Sequence, residues 1–72
     1  MVYSGPMSKP NRKLRTARKS KGLTQRALAL KIGVGEMIVS RWERGVSAPS
    51  PTNAKPLARV LGLSLNDVYG VP

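Results

Sequence analysis

Basic side chains are the chemically active groups of this sequence, and the chemistry they offer is binding to anions. Thirteen Lys and Arg residues stand against three acidic ones, Glu36, Glu43 and Asp67, which gives a formal net charge of +10 at pH 7. Because the chain has no Cys and no His, thiolate metal sites and histidine acid–base catalysis are excluded. We expect a binding protein with no enzymatic activity, no cofactor, no metal and no small-molecule ligand. Composition leaves duplex DNA, RNA and an anionic membrane surface open as partners.

The length of 72 residues allows one small domain whose stability depends on packing. Residues 1–11 are expected to form a flexible amino-terminal arm, since Gly5, Pro6 and Pro10 interrupt a segment without apolar periodicity. Because Gly5-Pro6 precedes a second Met, residues 1–6 fit either a tag-cleavage scar or native sequence. No apolar run nears the roughly 20 residues of a membrane span and no signal peptide is recognisable, which predicts a soluble, cytoplasmic protein.

The domain is expected to span residues 12–70 and to open with a basic helix. Leu14 and Arg18 lie at helical spacing on one side of this helix, and Gly22 is the expected left-handed stop. The other cations of this helix could form a solvent-exposed face or could contact an anion. For Arg15 and Lys19 both interpretations stay open.

A second helix is predicted between Leu23 and Ile32, with Thr24 as its cap. Only residues 33–35 separate it from a third helical run, Glu36–Arg44, so these two helices must meet at a sharp angle. This is the spacing of a helix-turn-helix.

The third helix has an inward side formed by Val39 and Trp42, which lie at i, i+3 spacing. Trp42 could also stack on a base, but its phase with Val39 favours core packing. The side chains expected to point outward or to flank this side are Glu36, Met37, Ser40, Arg41 and Arg44. Met37 has the alternative of joining the core, and base contact is the favoured interpretation.

A fourth helix is expected, with Leu57, Ala58 and Leu61 on its inward side. Its start is expected only after Thr52 or Asn53. With Thr52 or Asn53 as its cap, Pro56 would fall in the first turn, where a missing amide hydrogen matters least.

A short fifth helix is expected from Leu65 to Tyr69, with Ser64 and Asp67 in capping-box spacing. Its apolar residues exceed what a short helix can hide alone, which favours a homodimer. These residues are Leu65, Val68, Tyr69 and Val71.

The sequence resembles the phage repressor and Cro-like helix-turn-helix domains, also called the Xre family. The resemblance covers roughly residues 13–69. Its residues occur in the family's order: Leu14, Arg18, Gly22-Leu23-Thr24-Gln25, Leu28-Ala29, Ile32-Gly33-Val34, Val39-Ser40, Trp42-Glu43-Arg44-Gly45, Pro49-Ser50, Leu57-Ala58, Leu61-Gly62 and Ser64-Leu65. The resemblance implies an all-α, compact five-helix lambda-repressor-like bundle, with the second helix across the DNA groove and the third inside it. A bacterial or phage source is implied as well.

The resemblance also implies residue roles. Arg18 and Glu43 match a structural ion pair that ties the first helix to the third, and a general-base role for Glu43 lacks any partner. The matching base readers are Glu36, Met37 and Arg41, with Ser40 beside them. The residues expected at DNA phosphates are Gln25, Arg44, Ser47, Lys9, Arg12 and Lys13. Gly35 departs from the family, which usually has a capping Ser or Thr there, and Pro56 is a second departure.

These features predict a sequence-specific regulator of transcription that binds double-stranded DNA, a repressor on a palindromic operator bound as a homodimer. One alternative is a protein-interaction module, such as an antitoxin or a bridging factor with the same fold. Another is a membrane-active or RNA-binding basic peptide, which would have mobile cationic helices and no fixed core.

Overall fold

Five α-helices account for most of residues 10–70, the part of the chain that the computed structural model describes. Their bounds are α1 Arg12–Ser20, α2 Gln25–Ile32, α3 Glu36–Arg44, α4 Pro51–Leu61 and α5 Leu65–Tyr69. The all-α, five-helix bundle expected from the sequence is confirmed. No helix in this range has the length and apolar content required to cross a membrane. Lys9 and Val71, to which roles were assigned above, lie outside the described residues.

The turn between α2 and α3 follows from the residues at its two ends. Thr24 caps α2 by accepting a hydrogen bond from the amide of Ala27 at 3.0 Å. Gly33 ends α2 with a φ of 87°, a left-handed conformation that favours glycine. Gly35 then caps α3 without a side-chain hydrogen bond. The three residues 33–35 therefore change the direction of the chain sharply, as a helix-turn-helix requires.

A single apolar core is built from all five helices. Its fully or nearly buried members are Leu14, Leu28, Ala29, Val39, Trp42, Ala54, Leu57, Ala58, Leu61 and Val68. Trp42 is only 3% exposed, so it packs in this core and does not lie where a base could stack on it. A core of this kind is not expected for mobile cationic helices.

The expected late start of α4 is wrong. The cap is Ser50, not Thr52 or Asn53, and Pro51 occupies the first helical position, where its fixed φ suits a helix start. The amides of Asn53 and Ala54 donate to the carbonyl of Ser50 at 3.0 and 2.8 Å. Pro56 therefore lies inside the helix and leaves the carbonyl of Thr52 without its intrahelical donor. Because Thr52 is exposed, water can take that place.

Asn11 was assigned to the flexible arm, and this assignment is wrong. Its side-chain oxygen caps α1 by accepting from the amide of Leu14 at 3.1 Å. Its side-chain amide donates to the carbonyls of Asp67 and Val68 at 2.9 and 3.1 Å, and its backbone amide donates to the carbonyl of Glu43 at 2.9 Å. One side chain thus satisfies free groups at the start of α1 and the end of α5.

Replacing Asn11 by Ala is expected to lower the free energy of unfolding by about 1–3 kcal/mol, because a cap and two donors to α5 are lost together. Asn11→Asp is the informative variant, since Asp caps a helix as well as Asn does but cannot donate to the two carbonyls. Urea unfolding of both variants should therefore show destabilisation. An Asp variant as stable as the parent would contradict the tie between α1 and α5.

Candidate nucleic-acid interface

Helix α3 is fixed along one side and open along the other. Val39, Trp42 and Glu43 are buried, at 0, 3 and 6% exposure. The opposite side carries Met37, which is 62% exposed, together with the exposed Arg41. Exposed Glu36 and Arg44 and the half-buried Ser40 flank these two residues. The side chains expected to read bases are thus brought together on one accessible surface.

A buried ion pair between Arg18 of α1 and Glu43 of α3 holds α3 in place. The guanidinium donates through Nε to Oε2 at 2.5 Å and through Nη2 to Oε1 at 3.2 Å. Arg18 Nη1 also donates to the carbonyl of Leu23 at 2.7 Å. Within residues 10–70, every fully buried side-chain polar atom has a hydrogen-bond partner. Two opposite charges can stay buried here because each is hydrogen-bonded to the other and to neighbouring groups.

Gln25, the first residue of α2, is tied to the same carboxylate. Its Nε2 donates to Glu43 Oε1 at 3.1 Å. Since a carboxylate only accepts, this contact fixes which end of the Gln25 amide faces inward. The second hydrogen on Nε2 stays available to an acceptor outside the protein. A phosphate oxygen is an acceptor of this kind.

Arg44 at the end of α3 is held by a weaker contact. Its Nε donates to Ser40 Oγ at 3.2 Å across one helical turn. The two terminal nitrogens of its guanidinium make no hydrogen bond to any residue between 10 and 70, and the side chain is exposed. Ser40 therefore orients Arg44 and leaves four of its donors for an external anion.

A shallow depression lies beside the open side of α3, between α1, α2 and α3. The residues that line it are Pro10, Arg15, Arg18, Gln25, Ser40, Glu43 and Arg44. It thus joins Gln25 and Arg44, both expected at phosphates, with Arg15, whose role the sequence left open.

Arg12 and Lys13 lie on another flank of α1. They line a separate depression with Thr16, Ala17, Ser20 and Leu63. Lys13 Nζ also forms a salt bridge to Asp67 Oδ1 at 3.1 Å, and this hydrogen bond holds the pKa of Asp67 below its usual value. The structure therefore does not group these two cations with Gln25 and Arg44.

Three further residues complete the surroundings of α3. Ile38 and Val46 are 36% and 53% exposed and were not assigned a role from the sequence. The sequence signal that could have indicated the exposure of Ile38 is its position, which falls off the inward side defined by Val39 and Trp42. Ser47 is half-buried, and its amide donates to the carbonyl of Arg41 at 3.4 Å, so it extends the end of α3.

Comparisons with known proteins agree with this geometry. The sequence profile of a helix-turn-helix family matches residues 14–68. The P22 c2 repressor in complex with a synthetic operator has a TM-score of 0.76 and 28% identity, over 90% of this chain and 94% of that one. The restriction-modification controller protein C.AhdI from Aeromonas hydrophila has a TM-score of 0.72 and 32% identity, over 88% of this chain and 96% of that one. The clp gene regulator ClgR from C. glutamicum has a TM-score of 0.69 and 30% identity, over 92% of this chain and 86% of that one. A comparison with curated protein sequences finds no match.

Glu43→Gln is expected to lower the free energy of unfolding by about 3–5 kcal/mol, because it leaves the buried Arg18 without an opposite charge. The double variant Arg18→Met, Glu43→Leu removes both charges and should be clearly more stable than the single one. Urea unfolding followed by circular dichroism measures both. A Glu43→Gln variant within about 1 kcal/mol of the parent would show that the pair does not hold α3.

Proposed function

The chain belongs to the helix-turn-helix family of DNA-binding transcriptional regulators, and we propose that it recognises a specific duplex site by placing α3 in the major groove. The observation that carries this proposal is the division of α3 into two sides. Val39, Trp42 and Glu43 are buried, so the side with Met37 and Arg41 is the one left for DNA. The family is not enzymatic, in agreement with the expectation from composition.

Four residues of α3, Glu36, Met37, Ser40 and Arg41, have base partners that suit their chemistry. Arg41 donates two parallel hydrogen bonds to O6 and N7 of guanine, and Glu36 accepts from N4 of cytosine. Met37 packs on the methyl group of thymine, and Ser40 contacts a base beside it while it orients Arg44. One good bidentate contact discriminates between bases by about 1–3 kcal/mol.

Phosphate contacts set the position of α3 in the groove. Gln25 offers its free Nε2 hydrogen, Arg44 its terminal nitrogens, and Ser47 its hydroxyl beside the end of α3. These contacts carry no base preference but make binding depend on salt.

A homodimer on a palindromic operator is the assembly that we propose, with repression by occupation of the site. Leu65 of α5 is 43% exposed and Tyr69 is half-buried, which supports α5 as part of the surface between two copies. The P22 c2 protein is a repressor that binds an operator, which supports the same action here. Two half-sites would then lie about one helical turn, roughly 34 Å, apart.

Selection from random duplexes at moderate salt is expected to return one consensus with two-fold symmetry. Arg41→Ala should then lose the preference for guanine at one position of each half-site, by roughly 5- to 150-fold. Arg12→Ala is the control: it also removes one cation, but from a flank of α1 away from this surface, and it should keep the full preference.

No consensus for the parent protein would overturn specific recognition. An Arg41→Ala variant with the parent's preference would overturn the role of Arg41. Sedimentation with the selected duplex should show two copies bound, and a single copy would contradict the homodimer.

A further inference from the structure

We infer that α1 is a third DNA-contacting helix, in which Arg15 binds a backbone phosphate that Gln25 and Arg44 approach from α2 and α3. This inference rests on the proposed function and adds a contact that the sequence leaves undecided. The feature that carries it is the depression between the three helices, because it brings Arg15 beside two residues of α2 and α3.

The depression has two unneutralised positive charges and no free negative one. Arg18 and Glu43 also line it, and they neutralise each other in a buried, hydrogen-bonded pair. The cations that remain in its lining are Arg15 and Arg44. A site with this net positive charge attracts an anion. Glu43 does not neutralise Arg15 or Arg44, because it is buried and paired with Arg18.

Two donor side chains that line the depression are held in place with hydrogens unused. The amide of Gln25 is locked by Glu43 with one hydrogen free, and Arg44 is held by Ser40 with its terminal nitrogens free. Arg15 is exposed and makes no side-chain hydrogen bond to any residue from 10 to 70. Its guanidinium therefore reaches an anion without breaking a contact seen within that range.

A phosphodiester is the anion that fits this arrangement. Guanidinium groups bind phosphate oxygens through pairs of parallel hydrogen bonds, and an amide adds a third donor. The depression adjoins Ser40 and Arg44 on the flank of α3, so a strand that borders the groove occupied by α3 passes over it. Arg12 and Lys13 line a different depression, so they do not take part in this contact.

Replacing Arg15 by Ala tests the inference, and Arg59→Ala is the matched control, because Arg59 is an exposed Arg of α4 that does not line the depression. Dissociation constants are measured for the selected duplex and for a duplex of unrelated sequence over a range of salt. Arg15→Ala should weaken binding to both duplexes by about five- to tenfold at about 0.1 M salt and reduce the salt slope by about 0.9. Arg59→Ala should change the slope far less. Arg15→Lys keeps the charge and should retain most of the slope.

The base preference of Arg15→Ala should remain that of the parent, because a phosphate contact carries no sequence information. Its thermal unfolding should also remain unchanged, since the side chain is exposed. Equal slopes and affinities for Arg15→Ala and Arg59→Ala would overturn the inference. If Arg41→Ala still relaxes the preference in that case, the proposed function stands and only the role of Arg15 fails. If the parent shows no preferred duplex, the proposed function itself fails.

Discussion

The buried ion pair between Arg18 and Glu43 is the interaction on which the rest of the structure depends. Two charges removed from water are tolerated when they are paired and hydrogen-bonded, and here the partners come from three separate parts of the chain. Arg18 brings α1, Glu43 brings α3, and Gln25 with the carbonyl of Leu23 brings the start of α2. The pair therefore fixes the relative position of the three helices that form the proposed interface.

The same pair also sets the charge that DNA would meet. Of the three acidic residues, Glu43 is neutralised in the interior and Asp67 is paired with Lys13 on another flank of α1. Glu36 is the one carboxylate within residues 10–70 that has no salt bridge, and it lies on the exposed side of α3. The carboxylate of Glu36 repels phosphates at its own position. This suits its proposed role, which is to accept a hydrogen bond from N4 of cytosine. The proposed base reader Glu36 and the proposed phosphate contacts Gln25 and Arg44 thus lie on one small surface.

The sequence was sufficient to predict those elements that local signals determine. Helix α3 begins after Gly35 and ends at Gly45, and α5 is capped by Ser64, as the pattern of glycines and polar caps indicates. Because of Pro56, the start of α4 was predicted wrongly. The helix tolerates Pro51 at its first position, and it tolerates Pro56 because Thr52, whose carbonyl loses its donor, is exposed. Local rules count the cost of a proline but not the exposure of the residue whose carbonyl loses its donor.

Contacts between distant parts of the chain were not predictable in this way. The partners of the Asn11 side chain on α5 are 56 and 57 residues away, so the segment was taken for a flexible arm. The neighbours of Arg15 likewise depend on how α1 packs against α2 and α3, which helical spacing does not specify. The resemblance to a family supplied the pairing of Arg18 with Glu43, whereas the connection of Gln25 to that pair came from the structure.

Dimethyl sulfate protection on the selected duplex tests the central claim most directly, because this reagent methylates guanine N7 in the major groove and adenine N3 in the minor groove. With α3 in the major groove, the protein should protect guanine N7 in each half-site, and Arg41→Ala should remove that protection while the protein stays bound. Protection of adenine N3 with guanine N7 left reactive would place the protein in the minor groove and contradict the account.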